Sequence, residues 1–147
     1  MRIIVGVDGS EHAMRAVDAA ARMARQSNGE LVLVTASVLP FILDEEIEAY
    51  AKAEHILKDE LRRLLVDPRP PCLDLARARA LDAGISKVET FAVGGDPAQE
   101  IVSAAEDRRA DMIVVGRRGT GRLAEMVLGS VSQKVIRLAP CPVMVVP

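Results

Sequence analysis

Aromatic side chains are almost missing from this chain of 147 residues, which contains Phe41, Tyr50, Phe91 and no tryptophan. Proteins that bind single-stranded nucleic acid stack the bases on aromatic rings, and an FMN site of the flavodoxin type needs rings beside the isoalloxazine, so both classes are disfavoured. The net charge of −2 also lacks the basic excess that a phosphate backbone requires. We therefore expect no nucleic acid partner.

Cysteines and long apolar runs are equally scarce. Cys72 and Cys141 lie far apart and outside any Cys-x-x-Cys spacing, which argues against a disulfide framework or a zinc site. No apolar stretch approaches the roughly 20 residues of a membrane-spanning helix. Residues 1–5 read directly as a strand and lack the pattern of a secretory signal. These absences predict a cytoplasmic protein without membrane insertion, and the length fits one domain over residues 1–147.

The chain does contain a glycine-rich loop between a strand-like run and a helical segment. The glycines Gly116 and Gly119 follow the apolar run 111–115, and nine residues separate Gly119 from Gly129 and Ser130. Glycine lets the main chain approach a ligand closely, and the free N–H groups where the next helix begins favour an anion. The spacing G-x-x-G-x9-G-[ST] is neither the P-loop nor the dinucleotide fingerprint. It predicts a nucleotide-binding loop, with a flexible surface loop as the alternative.

Strand-like and helix-like segments alternate, which predicts a parallel sheet with helices on both faces. The predicted strands are residues 3–7, 31–36, 87–93, 112–115 and 143–146. Ser10 and Asp96 are expected to cap helices, and Gly29 is expected to end the first helix at its C′ position. Further helices are predicted over residues 44–66 and 73–83.

Hydrophobic patterning also predicts the strand order. The first and fourth strands are the most completely apolar and belong in the centre, whereas residues 87–93 alternate and belong at an edge. Together with right-handed crossovers, this gives an open, Rossmann-like α/β sheet of order 3-2-1-4-5. Ligands of such sheets bind beyond the carboxyl ends of the strands, where the order changes direction. Asp8 and Gly116 follow the two strands that meet there.

The fifth strand, Val143 to Val146, would be an apolar edge of this sheet. Exposed apolar edges pair with other chains, so we predict a homodimer that joins these strands across a two-fold axis. Cover of the edge by a helix or by Pro147 is the alternative.

Several motifs, in the same order along the chain, resemble the universal stress protein family over nearly the whole sequence. They are the segment Ile4 to Ser10, Gly95-Asp96-Pro97, the segment Ala110 to Gly116, the glycine loop, and Ala139-Pro140-Cys141-Pro142-Val143. The resemblance implies a five-stranded α/β fold, homodimers and two branches, of which one binds ATP and the other lacks the glycine loop. Because the loop is intact, this chain resembles the ATP-binding branch.

The resemblance also implies residue roles. Asp8 would hold the ribose or a Mg or Mn ion, Gly6 and Val7 would lie near the base and sugar, and Ala36 would face the adenine with its backbone. The positions implied for the α and β phosphates are Gly116, Arg117 and Gly119. Those implied for the β and γ phosphates are Gly129, Ser130 and Val131, and the neighbouring Val115 and Ser132 complete the predicted site.

One segment departs from the family pattern. Residues 44–71 are longer and more interrupted by proline than the family's second helix. Phe41, Ile42 and Tyr50 lie where a lid or a partner surface could form, and a variable surface helix is the alternative.

Catalysis is not predicted. ATP hydrolysis needs a positioned water and charge neutralisation, and no evident base accompanies Asp8. His12 and His55 are expected on helix surfaces, and Ser132 is expected to cap a helix. The main prediction is an ATP-binding regulatory protein of the stress response, a homodimer with a regulatory protein partner. A slow ATPase, a nucleotide-independent dimeric interaction module and a binder of AMP or a cyclic nucleotide stay open as alternatives.

Overall fold

Five parallel strands form one sheet in the computed structural model, which describes residues 1–37, 71–118 and 128–147. In chain order the elements are β1 (Arg2–Gly6), α1 (Glu11–Gln26), β2 (Glu30–Ser37), α2 (Pro71–Asp82), β3 (Val88–Gly94), α3 (Pro97–Asp107), β4 (Met112–Gly116), α4 (Ser130–Leu138) and β5 (Val143–Val146). The strand order is β3-β2-β1-β4-β5, which confirms the predicted fold class and order. The helix predicted over residues 44–66, with Tyr50 and His55, lies outside the described residues, as do Phe41 and Ile42.

The sheet is covered on both faces, which explains why its central strands are apolar without alternation. In β1, Ile3 and Val5 face one core while Ile4 faces the other, and all three have no exposed surface. The helices α1 and α2 cover the first face, and α3 and α4 cover the second. In β3, by contrast, every residue is half-buried or exposed, and only the adjacent exposed residues Phe91 and Ala92 interrupt the alternation, as expected at an edge. No helix among the described residues is long and apolar enough to cross a membrane.

Helix starts follow the predicted caps. The Ser10 Oγ accepts a hydrogen bond from the Ala13 N–H at 3.1 Å, which caps α1. The Asp96 Oδ1 accepts one from the Gln99 N–H at 3.0 Å, which caps α3 in front of Pro97. Both caps are therefore confirmed, and each satisfies an N–H group that the first helical turn leaves free.

The end of α1 differs from the prediction by one residue. Asn28, with a φ of 48°, takes the left-handed C′ position that was assigned to Gly29. The Gly29 N–H then donates to the Ala24 carbonyl at 2.7 Å, which completes a Schellman motif. A side chain at Gly29 would place its Cβ 2.4 Å from the Met1 carbonyl oxygen. Glycine is needed there because the chain passes close to the N-terminus, a contact that local sequence does not reveal.

Gly116 has a structural role at the end of β4. A Cβ atom on Gly116 would lie 2.7 Å from the His12 carbonyl carbon and 2.9 Å from the Ala13 nitrogen. These are backbone atoms in the first turn of α1, so they cannot turn aside as a side chain would. The missing side chain therefore lets α1 lie directly against the end of β4.

We expect Gly116→Ala to lower the free energy of unfolding by about 1–3 kcal/mol, as overpacking does in a tight interior. Gly6→Ala is the matched comparison, because its nearest neighbour is the Ile101 Cδ1 at 2.7 Å, the far end of a side chain that can rotate. The smaller loss is therefore expected for Gly6→Ala. Urea unfolding of both variants measures the difference, and an unchanged stability of Gly116→Ala would contradict the packing argument.

Candidate functional site

A cleft of about 360 Å³ opens beyond the carboxyl ends of β1 and β4. These strands are neighbours in the sheet, but the helix after β1 covers one face and the helix after β4 covers the other. The two connections therefore separate at this point and leave a crevice, as in other open α/β sheets. Its lining residues are Gly6, Val7, Asp8, Ala13, Val34, Ala36, Pro97, Ile101, Val115, Gly116, Arg118, Leu128, Gly129, Ser130, Val131 and Ser132.

The β1 side of the cleft ends in a tight turn around Asp8. The Val7 N–H still donates to the Val34 carbonyl at 2.8 Å, and the chain then leaves the sheet. The Asp8 Oδ1 accepts a hydrogen bond from the Ser10 N–H at 2.9 Å, while Gly9 adopts a φ of 82°. The turn thus uses one carboxylate oxygen of an exposed side chain and sets that side chain at the cleft.

The β4 side is held by the backbone of Arg117. Its N–H donates to the Val146 carbonyl at 2.6 Å, and its carbonyl accepts from the Gly129 N–H at 2.8 Å. The Ser132 Oγ lies 3.1 Å from the same Arg117 carbonyl oxygen and 2.9 Å from that of Gly129. Ser132 is only 2% exposed, so its hydroxyl fastens the start of α4 to the end of β4.

The N-terminus of α4 has no side-chain cap. Gly129 is the N-cap residue, with φ −63° and ψ 155°. Because glycine has no side chain, no side-chain oxygen accepts a hydrogen bond from the first turn. In α1 and α3 the corresponding N–H groups are satisfied by Ser10 and Asp96. The uncapped turn of α4 begins at residues that line the cleft. Free N–H groups and the helix dipole together make such a turn favourable for an anion.

Two arginines, Arg117 and Arg118, follow the end of β4. Arg118 lines the cleft, and its Nε and Nη2 are buried without a hydrogen-bond partner in the part of the chain that the structure describes. The Arg117 Nε is buried in the same way, but Arg117 is not among the lining residues. The family resemblance implies Arg117 at the phosphates, which stays a prediction, and the structure places Arg118 in the cleft lining.

Part of the cleft wall is aliphatic. Gly6, Val34, Pro97 and Ile101 line it, and Ala36 on β2 extends beyond the last residue of β1 that pairs with this strand. The hydrophobic pattern could not single out Val34 or Ile101 as lining residues, since both read as ordinary core positions.

Of the residues predicted for the site, the structure gathers all but two in the lining of this cleft. Gly6, Val7, Asp8, Ala36, Val115, Gly116, Gly129, Ser130, Val131 and Ser132 belong to it. Arg117 holds the adjacent backbone, and Gly119 lies outside the described residues. The lining residues that the sequence did not indicate are Ala13, Val34, Pro97, Ile101, Arg118 and Leu128.

The described residues can be compared with two further kinds of site, a metal ion held by protein side chains alone and a reactive nucleophile. Within residues 1–37, 71–118 and 128–147, no group of three or more His, Cys, Asp or Glu side chains is arranged to hold a metal ion. The His12 Nδ1 lies 2.8 Å from the Arg15 Nη2 on α1. Burial and the nearby Asp111 raise the pKa of the half-buried Cys141 thiol, which disfavours the reactive thiolate. Cys141 therefore has the properties of a packing residue.

Comparison with known proteins gives the class to which this fold and cleft belong. The model of the universal stress protein family matches residues 1–147, and the chain belongs to this family. The universal stress protein Rv1636 of Mycobacterium tuberculosis (strain H37Rv) is 37% identical over 145 residues, which cover 98% of this chain and 94% of the relative.

Two solved structures are similar over their full length. The hypothetical protein MJ0577 of Methanocaldococcus jannaschii superposes with a TM-score of 0.76 at 30% identity, covering 99% of this chain and 94% of the other. A universal stress protein in complex with cAMP superposes with a TM-score of 0.69 at 31% identity, covering 100% of this chain and 96% of the other. The similarity therefore extends over nearly the whole fold.

An ion pair beside the cleft makes stability depend on pH. The Asp96 Oδ2 lies 3.1 Å from the Lys134 Nζ and so links the start of α3 to α4. The hydrogen bond from the Gln99 N–H and then the contact with Lys134 lower the pKa of Asp96. Since the unfolded pKa is about 3.9, the stabilisation is present above that pH and is lost as the pH falls through the lower folded value.

We expect Asp96→Asn to keep the cap but lose this titration. Wild type should be the more stable at neutral pH, and the difference in unfolding free energy should shrink as the pH falls from about 5 to 3, across the reference carboxyl pKa. Asp96→Ala also removes the cap and should lose about 1 kcal/mol more at neutral pH. Urea unfolding at several pH values measures these differences. A wild-type advantage over Asp96→Asn that is constant across this range would contradict the assignment.

Proposed function

We propose that this protein binds an adenine nucleotide, ATP with Mg or Mn, in the cleft between the ends of β1 and β4. On this proposal it is a cytoplasmic, homodimeric regulatory protein of the stress response, formed by one domain over residues 1–147, in the ATP-binding branch of its family. The nucleotide would set the shape of a surface that faces a regulatory protein partner.

The observation that carries the proposal is the uncapped first turn of α4 at the cleft. A side-chain cap is worth about 1 kcal/mol to a helix, and α1 and α3 both have one. Gly129 instead leaves the N–H groups of Ser130, Val131 and Ser132 available where Arg118 also lines the wall. Donors and positive charge at one place suit a chain of phosphates.

The register of β2 supports adenine as the base. Val34 faces β1, because its carbonyl accepts from the Val7 N–H, whereas Leu31 donates to the Lys87 carbonyl on the opposite side. Peptide groups alternate in direction along a strand, so the N–H and C=O of Ala36 point the same way as those of Val34. There β1 has already left the sheet. One backbone donor and one acceptor match the N1 acceptor and N6 donor of adenine.

Asp8 fits the role proposed for it at a metal ion. Magnesium keeps several water ligands and takes one or two carboxylates together with substrate phosphates, so it needs no cluster of acidic residues. The turn at Asp8 uses one carboxylate oxygen, and the side chain lies at the cleft. A bound ion would neutralise phosphate charge, and Asp8 would orient it.

A cyclic nucleotide or AMP is the second candidate ligand. The relative in complex with cAMP shares 31% of its residues with this chain over its whole length. The aliphatic part of the cleft wall and the backbone of Ala36 would receive the same adenine in either ligand. These ligands differ from ATP only in their phosphates.

A slow ATPase is the catalytic alternative. No described side chain in the cleft besides Asp8 has a carboxylate or imidazole that could activate water, so we propose little or no turnover. Multiple-turnover phosphate release that is abolished in Asp8→Ala would instead support an enzyme.

We expect Gly129→Asp to weaken nucleotide binding without unfolding the protein. Aspartate can adopt the observed φ of −63°, and its carboxylate would cap the N–H groups that the phosphates need and also repel them. ATP affinity should fall at least about tenfold, while the free energy of unfolding stays equal or rises by a few tenths of a kcal/mol. Isothermal titration with Mg-ATP, together with urea unfolding, measures both.

Gly129→Asn is the matched control, because it offers the same cap without the charge. Its affinity should lie between those of wild type and Gly129→Asp. Mg-ATP binding that is unchanged in Gly129→Asp would contradict the site. Gly116→Val is unsuitable for this purpose, since a side chain there collides with the backbone of α1.

The homodimer is proposed through β5. The Pro142 carbonyl accepts from the Ile113 N–H of β4, and the Val146 carbonyl accepts from the Arg117 N–H just after it. The peptide groups of Val143 and Val145 therefore point to the open edge. All four residues of β5 are only half-buried. An apolar edge with free peptide groups favours pairing with a second copy.

We expect light scattering at micromolar concentration to give twice the chain mass of 15.8 kDa. Val145→Pro removes an outward N–H and should give monomers, whereas Val145→Ala keeps this N–H and should remain dimeric. A monomeric wild type would contradict the interface. A dimer that binds no nucleotide would instead favour the interaction-module alternative.

A further inference from the structure

The guanidinium group of Arg118 is the least satisfied charged group at the cleft. Its Nε and Nη2 are buried without a hydrogen-bond partner in residues 1–37, 71–118 and 128–147. None of the ion pairs found in that part of the chain includes Arg118. Buried charges in proteins are normally paired or hydrogen-bonded, because taking an ion out of water is costly. Among the described residues nothing satisfies these two nitrogens, and an anion in the cleft would do so.

The backbone that carries the Arg118 side chain is held in place by its neighbours. The Ser10 Oγ, which caps α1, lies 3.4 Å from the Arg118 carbonyl oxygen. Two residues earlier, Gly116 lies directly against the backbone of α1, and Arg117 between them is hydrogen-bonded to β5 and Gly129. The backbone that supports the side chain is thus held on three sides, which favours a preorganised contact over a mobile surface charge.

We propose that Arg118 is a specificity-determining residue, which selects nucleotides with a free di- or triphosphate chain over cyclic monophosphates. The proposal rests on the nucleotide site described above and assigns a selecting group within it. Arg118 is a second anion-binding group, separate from the backbone N–H groups of α4.

The selection follows from the number of phosphates. A cyclic nucleotide carries one phosphate, fused to the ribose and singly charged, so it offers a single charged group to the two sets of donors that line the cleft. A polyphosphate chain offers several charged groups in series and can engage both at once. The planar guanidinium also matches phosphate oxygens in pairs, which an ammonium group cannot do.

The test compares ligands on Arg118→Gln and wild type. Isothermal titration with Mg-ATP, Mg-ADP, cAMP and inorganic tripolyphosphate should give a loss of about 10- to 100-fold for ATP, ADP and tripolyphosphate in the variant. The loss for cAMP should stay below about threefold, because the proposal assigns its single phosphate to the α4 turn. Arg118→Lys, which keeps the charge without the fork, should recover only part of the loss.

Two further measurements separate a binding role from a structural one. Without ligand, Arg118→Gln should be as stable as wild type or more stable, because it removes two buried guanidinium nitrogens that have no described partner. Arg25→Gln is the matched control for net charge, because Arg25 is exposed in the last turn of α1, at the opposite end of the helix from the cleft. It should leave every affinity unchanged.

The outcomes are distinct. Equal losses for ATP and cAMP, or no loss for either, would overturn the assignment of Arg118 while nucleotide binding stands. If wild type binds tripolyphosphate through Arg118 but binds no nucleotide, the proposed function fails and the anion role of Arg118 holds. Absence of binding to all four ligands would overturn both.

Discussion

The close approach of β4 to the first turn of α1 is the constraint on which the cleft depends. Because Gly116 has no side chain, the end of β4 lies against the backbone of His12 and Ala13. This contact places the turn around Asp8 beside the start of the glycine loop, although more than a hundred residues separate them along the chain. The glycine therefore does more than make room for a ligand, since it joins the two walls of the crevice. Any side chain there would act on the fold and the cleft together.

The backbone of Arg117 connects the cleft to the edge of the sheet. Its N–H bonds the last residue of β5, and its carbonyl receives the Gly129 N–H and lies next to the Ser132 hydroxyl. One peptide unit thus connects the edge strand, the loop and the start of α4. The orientation of the uncapped helix consequently depends on main-chain hydrogen bonds, which are less sensitive to side-chain substitution than ion pairs at the surface.

Local sequence patterns were sufficient for the architecture because strands and helix starts are specified by neighbours in the chain. The apolar runs of β1 and β4 and the caps Ser10 and Asp96 are of this kind, and the structure confirms them. What local patterns do not reveal depends on residues that are distant in sequence. Gly29 looks like a helix terminator until its contact with Met1 is known. Arg118 cannot be told from Arg117 by motif spacing, because the choice depends on which side chain the end of β4 turns towards the cleft.

Two local features of the cleft are unfavourable for the protein by itself. The first turn of α4 lacks the cap that α1 and α3 possess, and Arg118 buries guanidinium nitrogens without a described partner. Either one alone could be an accident of packing. Their coincidence at one crevice is informative, because natural sequences depart from locally optimal choices mainly at functional sites. Both features call for the same kind of partner. The α4 turn presents hydrogen-bond donors and Arg118 presents donors with a positive charge, and neither has a described acceptor. An anionic ligand is the one class of molecule that satisfies both at once, whereas a neutral or cationic ligand would leave both in place.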